Sequence, residues 1–128
     1  EQINRLDANI EARINNLDVW LNNLNPEKYF LNFNVEGNSN YALPLVWRNP
    51  DDKGAICELL ESEKVEYRLG TAGGGNQARQ PYLERYGYKV VGALAVSDYI
   101  QDQGLYIGNH PELTENQIIE LCERLNNV

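Results

Sequence analysis

The sequence of 128 residues predicts one α/β (α+β) domain, with about three strands covered by helices and a long helix at the N-terminus. Three observations predict it. An apolar stripe repeats every three or four residues from Gln2 to Leu24. Short strand-like runs then alternate with helix-like ones, in the order helix, strand, helix, strand. A capping box near the end opens a closing helix.

In the first helix Ile3, Leu6, Ile10, Ile14, Leu17, Trp20 or Leu21, and Leu24 share one face, with Asn, Arg, Glu and Asp opposite. So long a stripe exceeds what a small domain covers, and part of it is expected to pack on something outside the domain. A short coiled coil is the alternative, against which stand Arg13 in the seam and the few heptads available. Asn25-Pro26 ends the helix. After an Asn-rich link, Tyr41 to Arg48 reads as a strand, and Pro44, which has no ladder donor, points to an edge or an irregularity.

Asn49-Pro50-Asp51-Asp52 supplies helix-start chemistry, and Ile56, Leu59 and Leu60 line one face up to about Glu63. A strand from Val65 to Leu69 follows. Pro81 to Tyr86 reads as a short helix with proline in its first turn, and Ser97 or Asp98 as the cap of a helical turn through Asp102. Gly104 to Asn109 reads as a third strand. Thr114 and Gln117 form the capping box of a helix carrying Ile118, Leu121, Cys122 and Leu125. Trp20 and Trp47 are expected in the core. There is no internal repeat or low-complexity tract.

With 11 basic and 19 acidic residues, net charge −8 and pI about 4.6, the chain is not expected to bind nucleic acid or anionic membranes through its overall charge. The window Val65 to Val90 reverses that balance, because Arg68, Arg79, Arg85 and Lys89 outnumber Glu66 and Glu84. Cys57 and Cys122 lie in helix-like patterns without metal-ligand spacing and read as core thiols. No membrane-length apolar run and no signal-peptide pattern is present, so cytoplasmic residence is the expectation. The sequence has no methionine, so an excised piece of a longer protein is expected.

The segment Tyr67-Arg68-Leu69-Gly70-Thr71-Ala72-Gly73-Gly74-Gly75-Asn76-Gln77-Ala78-Arg79-Gln80-Pro81-Tyr82 holds the main functional candidates. Glycine permits positive φ and close backbone approach, and arginine offers a planar fork of donors for phosphate or carboxylate. A flexible connector of the same composition is the alternative. The P-loop and G-x-G-x-x-G patterns do not fit.

His110, the one histidine, follows a strand end, where functional side chains collect, but a surface-turn residue is the reading that its context favours. No serine-histidine-aspartate motif, HExxH or metal set is present. The pairs Glu61 and Glu63, and Asp51 and Asp52, read as solvated charges at helix ends. Tyr67, Tyr82, Tyr86, Tyr88, Tyr99 and Tyr106 gather in the half that contains the loop, either for an interface or for the wet edge of a small core.

Arg68, then Gly74-Gly75-Asn76-x-x-Arg79-Gln80-Pro81-x-Leu83, Val90-Val91-Gly92, Asp98-x-Ile100 and Tyr106-Ile107-Gly108-x-x-Pro111-x-Leu113-Thr114, taken in order, resemble the C-terminal part of DegT/StrS-like nucleotide-sugar aminotransferases. The branch that contains sugar 3-dehydrases is the most similar. The resemblance runs from about Tyr41 to the C-terminus. It implies the C-terminal small domain of a fold type I (aspartate aminotransferase fold) pyridoxal phosphate enzyme, usually a homodimer with active sites at the subunit interface. Residues 1–24 would be the connecting helix and 25–128 the small, substrate-closing domain, with the large cofactor-binding domain absent.

Under that resemblance pyridoxal phosphate belongs to the full-length parent, and this piece alone is expected neither to bind it nor to catalyse. Lys28, Lys53, Lys64 and Lys89 match no cofactor-lysine context. The resemblance implies a nucleotide-sugar substrate met by Arg68, Gly74, Gly75, Asn76, Arg79 and Gln80, with His110 nearby, in deoxysugar or lipopolysaccharide synthesis. The glycines would let backbone N–H groups approach the ligand, as in anion-binding nests. A stand-alone module that binds an anionic ligand or dimerises, without chemistry, is the alternative.

Overall fold

The computed structural model describes residues 3–70 and 75–128. A single turn of 3-10 helix at Ile3–Arg5 leads into α1 (Leu6–Asn23), which is followed by β1 (Ala42–Val46), α2 (Lys53–Ser62), β2 (Tyr67–Leu69), α3 (Ala95–Gln103), β3 (Gly104–Gly108) and α4 (Glu115–Asn126). The three strands form one sheet in the order β1-β3-β2, with β3 antiparallel to both neighbours. β1 and β2 are therefore parallel to each other across β3, joined by α2, a split β-α-β arrangement.

Register follows from side-chain alternation. Leu43 pairs with Ile107, and Leu45 with Leu105. These four are buried against Leu17, Trp20 and Leu24 of the first helix segment, Ile56 and Leu60 of α2, and Ile118, Cys122 and Leu125 of α4. The intervening row, Pro44, Tyr106 and Arg68, has the opposite orientation. Pro44 is tolerated because β1 is an edge strand, as expected of a residue with no ladder donor.

Both tryptophans are fully buried. The Trp20 indole Nε1 donates to the carbonyl of Pro44 at 2.8 Å. The link after α1 is anchored by Tyr29, whose hydroxyl donates to the Leu125 carbonyl at 2.6 Å and whose backbone bridges Trp47. Burial first, and then the charge of Asp52, hold the Tyr29 phenol well above its ordinary pKa.

Local chemistry sets the helix ends. Thr114 Oγ1 accepts from Gln117 N at 3.3 Å while Gln117 Oε1 accepts from Thr114 N at 3.0 Å, completing the expected capping box. Asn49 Oδ1 accepts from Asp51 N, opening the 3-10 turn Pro50–Asp52 that leads into α2. α2 closes in a Schellman motif, with Val65 N donating to Leu60 O at 2.8 Å and Lys64 N to Glu61 O at 3.1 Å. Its left-handed position, which favours glycine, is filled by Lys64 at φ 57°.

Three expectations change. α3 begins at Ala95 after Leu94, so Ser97 and Asp98 lie inside the helix instead of capping it, and Asp98 N donates to Leu94 O at 2.8 Å. Pro81–Arg85 is a 3-10 helix, short because Tyr86 is followed by Gly87 at positive φ. Cys122 is buried but Cys57 only half so, and both are free thiols. On α1 the buried face is Asn16, Leu17 and Trp20, whereas Leu6 and Ile14 are 50% and 41% exposed, and Ile3 in the turn before the helix is 83% exposed. The N-terminal end of the predicted stripe is thus uncovered.

Candidate functional site

β2 carries Arg68 and hands the chain to the glycine loop. Arg68 is exposed, pairs with Glu66 through its guanidinium, and donates to the Tyr67 carbonyl at 3.2 Å. Its cross-strand neighbour on β3 is Tyr106, which makes an edge contact with Tyr41 at 6.1 Å between ring centroids. Burial, followed by the neighbouring Tyr41, raises the Tyr106 phenol pKa above its ordinary value.

A groove of about 650 Å³ opens beside this row, between the sheet and the face of α4. That volume is in the range of small-molecule sites. Arg68, His110, Tyr41 and Tyr106 line it from the sheet side, and Gln117 and Arg124 from α4. Arg124 is ion-paired with Glu63. His110 is exposed, with Nε2 only 2.8 Å from where a Cβ on Gly108 would stand, so the bare glycine makes room for the imidazole at the end of β3.

Asn109, just before it, is 2% exposed and fixes this corner. Its Nδ2 donates to Arg13 O at 3.0 Å and Asn40 O at 2.9 Å, and its Oδ1 accepts from Asn16 Nδ2 at 3.0 Å. The Arg13 Nε in turn donates to the Asn109 carbonyl at 3.3 Å. The polar residues that interrupt the apolar stripe of α1 therefore satisfy the exit of β3.

The other predicted residues belong to a different assembly. Gly74, with Gly73, lies outside the described residues. Gly75 meets α3 so closely that a Cβ would stand 1.9 Å from Gln101 Oε1 and 2.3 Å from Gly70 O. Asn76 is 4% exposed; its Nδ2 donates to Asp98 Oδ1 at 2.8 Å and its backbone N to Gln101 Oε1 at 3.0 Å. Arg79 donates through Nη1 to Asp102 Oδ1 at 2.8 Å and stands 3.6 Å from Asp98 Oδ1. Gln80 is half-buried and its N donates to Gln77 O at 3.0 Å.

The candidates thus divide. Arg68 and His110 line the groove, whereas Gly75, Asn76, Arg79 and Gln80 do not line it. The sequence reading passed over Gln101 and Asp102, whose i, i+3, i+4 spacing from Asp98 places all three on one face of α3. Tyr41, Gln117 and Arg124 were also passed over, since a groove between a sheet and a helix has no local sequence pattern.

The described groove lining offers guanidinium, imidazole, phenol and amide donors suited to a hydroxyl-rich ligand, beside the carboxylates of Glu63, Glu66 and Glu120, the first two of which pair with Arg124 and Arg68. It includes no lysine, and Lys28 Nζ donates to Val128 O at 2.7 Å. The described residues therefore place no lysine at the groove. They also include no group of three or more His, Cys, Asp or Glu able to hold a metal ion. No helix among them is long and apolar enough to cross a membrane.

The fold matches the solved structure of E. coli GDP-4-keto-6-deoxy-D-mannose-3-dehydratase with bound hydrated PLP. The TM-score is 0.83 at 21% identity, over 98% of this chain and 33% of that one. A structure of GDP-4-keto-6-deoxymannose-3-dehydratase with a trapped PLP-glutamate geminal diamine gives the same TM-score of 0.83 at 22% identity, with the same coverage. In sequence, the chain is 32% identical over 73 residues to the dTDP-4-dehydro-2,6-dideoxy-D-glucose 3-dehydratase of Saccharopolyspora spinosa. It is 38% identical over 63 residues to the lipopolysaccharide biosynthesis protein RfbH of Salmonella typhimurium. No family model matches.

These stretches span 57% and 49% of this chain but only 15% and 14% of those two proteins. The chain is thus similar in sequence to deoxysugar enzymes, and its fold matches a domain of a fold type I pyridoxal phosphate enzyme.

Proposed function

We propose that this chain is the small, C-terminal domain of a pyridoxal-phosphate-dependent enzyme that modifies nucleotide-linked deoxysugars, with 3-dehydration favoured over amination. The observation that carries the reading is the agreement of two independent likenesses. A fold match over 98% of the chain leads to a sugar 3-dehydratase, and a sequence match leads to another sugar 3-dehydratase. The parent would be a cytoplasmic homodimer in deoxysugar or lipopolysaccharide synthesis.

Pyridoxal phosphate would be held by other parts of the parent, and the contribution of this domain would be to bind the sugar nucleotide and close over it. Arg68 is the arginine best placed for that work, because its guanidinium is half-exposed at the groove and held by the still more exposed Glu66 and the adjacent Tyr67 carbonyl. A ligand anion can exchange with such a partner at small cost, since exposed ion pairs contribute about 0–1 kcal/mol. Arg79 serves as a brace, its Nη1 directed at Asp102 and Asp98. His110 would add a donor or acceptor on the sheet side of the groove.

The test is to express the reading frame upstream of Glu1 with this domain and assay nucleotide-linked 4-keto-6-deoxy sugars with pyridoxal phosphate. Turnover with cofactor absorbance is expected. A preceding segment with no pyridoxal phosphate domain, together with tight binding of a simple anion by this chain alone, would instead support the stand-alone module.

A further inference from the structure

We propose that one polar face of α3 is the seat that sets the conformation of the loop arm Asn76–Gln80, making Asp98 and Gln101 positioning residues for a ligand held by Arg68 where β2 leads toward that loop. The seat itself is read from contacts; its bearing on a ligand rests on the proposed function.

The geometry is specific. Asp98 Oδ1 receives the side-chain amide of Asn76 at 2.8 Å, and the Arg79 guanidinium stands 3.6 Å from the same oxygen. Gln101 Oε1 receives the backbone N–H of Asn76 at 3.0 Å, and it fills the space a Cβ at Gly75 would need. The backbone of Gln101 also closes on Gly70, where a Cβ would stand 2.9 Å from Gln101 Cα and O. Asn76 Oδ1 accepts from Ala78 N at 2.9 Å, so the buried amide is used at both ends and turns the chain into the 3-10 helix Gln77–Arg79. Asp102 takes the Arg79 guanidinium on the outer side.

The arm is therefore held by a helix distant in sequence and not by its own turn alone. Gly70 and Gly75 are required at the two points where loop backbone meets α3, which gives them a packing role in addition to the backbone freedom that suggested ligand binding. A hydrogen bond from a buried amide to a carboxylate is stronger than a neutral one, so Asp98 is the larger contributor. A change on α3, outside the groove, would reach a ligand only through the loop.

Amide hydrogen exchange on this chain tests the seat. Asp98→Ala and Gln101→Ala should each raise exchange at Asn76, Ala78 and Arg79 by about 10-fold, the loss of one hydrogen bond, while α1 and α4 keep wild-type protection. Gln101→Glu, which retains an acceptor, should restore the Asn76 amide to near wild type. Unchanged loop exchange in both alanine variants overturns the proposal. If Asp98→Ala unfolds the domain, Gln101→Ala gives the reading by itself. In the parent enzyme Gln101→Ala should raise KM with kcat nearly kept, and a raised loop exchange with unchanged KM overturns the positioning role. Absence of turnover in the wild-type parent overturns the proposed function and leaves the seat to the exchange result.

Discussion

Asn76 and Asp98, 22 residues apart, meet through a 2.8 Å hydrogen bond that fastens the arm of the glycine loop to α3. Both stand in the motifs that carried the family resemblance, and their contact gives those motifs a physical cause. The asparagine must be an amide because it donates to a carboxylate and accepts from Ala78 N at the same time. This contact separates a braced arm from the exposed Arg68, and it makes different predictions for the two arginines.

Trp20 and Trp47 are both fully buried, but only Trp20 has a partner for its indole N–H; Trp47 Nε1 has none among the described residues. Trp20→Phe strands the Pro44 carbonyl, whereas Trp47→Phe removes an unsatisfied donor. Urea unfolding should show Trp20→Phe costing about 1–3 kcal/mol more than Trp47→Phe. Equal costs would show that the Trp47 indole is satisfied in solution.

Lys64 occupies the left-handed position of the Schellman motif at φ 57°. Strain at a non-glycine residue there exceeds the entropy glycine loses, so Lys64→Gly should stabilise by ~0.5–1 kcal/mol in a thermal melt. Lys64→Val, β-branched, should destabilise.

Asn109→Ala would leave Asn16 and the carbonyls of Arg13 and Asn40 without their shared partner. A loss of about 2–4 kcal/mol is expected, since the stranded groups are part-buried and act as one network. Asn109→Asp keeps the acceptor for Asn16 but loses both Nδ2 donations, and it should also destabilise.

Burial pushes the Cys122 thiol from its ordinary 9.0 up to about 12. The folded state then keeps a proton that the unfolded chain releases above about pH 9, so stability is full below pH 9 and falls as pH rises toward 12. Tyr29, raised in the same direction, adds to the fall above its ordinary 10.0. Denaturant midpoints measured between pH 8 and pH 11 should decline, and the decline should be shallower in Cys122→Ala. In the native protein a thiol reagent should modify Cys57 and spare Cys122.

Much of the architecture was legible because its causes are local. The Thr114–Gln117 capping box, the Asn49 start of the α2 segment and the proline-limited edge strand are set by residues within a few positions of one another. The sheet order was not legible. β3 is last in sequence but central in space, and its register with β1 depends on Leu43, Leu45, Leu105 and Ile107 alternating into one core. The start of α3 was misplaced because Asp98, a good cap by type, spends its carboxylate on Asn76 and Arg79 across the loop.

The site followed the same division. Composition drew attention to Arg68, Arg79, Asn76 and the glycines, and the family resemblance ordered them. It could not separate the groove from the α3 seat, because that depends on contacts such as Asn76 with Asp98 and Arg79 with Asp102. His110 was placed correctly at a strand end; the bare Gly108 that accommodates its ring is visible only in three dimensions.

The central claim is that this domain meets a sugar nucleotide through Arg68 while Arg79 braces the loop. Steady-state kinetics of Arg68→Ala and Arg79→Ala in the parent enzyme, assayed with a nucleotide-linked 4-keto-6-deoxy sugar, test it most directly. The account predicts that Arg68→Ala raises KM by roughly 10- to 100-fold, the loss of a charged hydrogen bond, with kcat largely kept, and that Arg79→Ala has the smaller effect. An unchanged KM in Arg68→Ala, or no turnover of such a sugar by the wild-type parent, would contradict it.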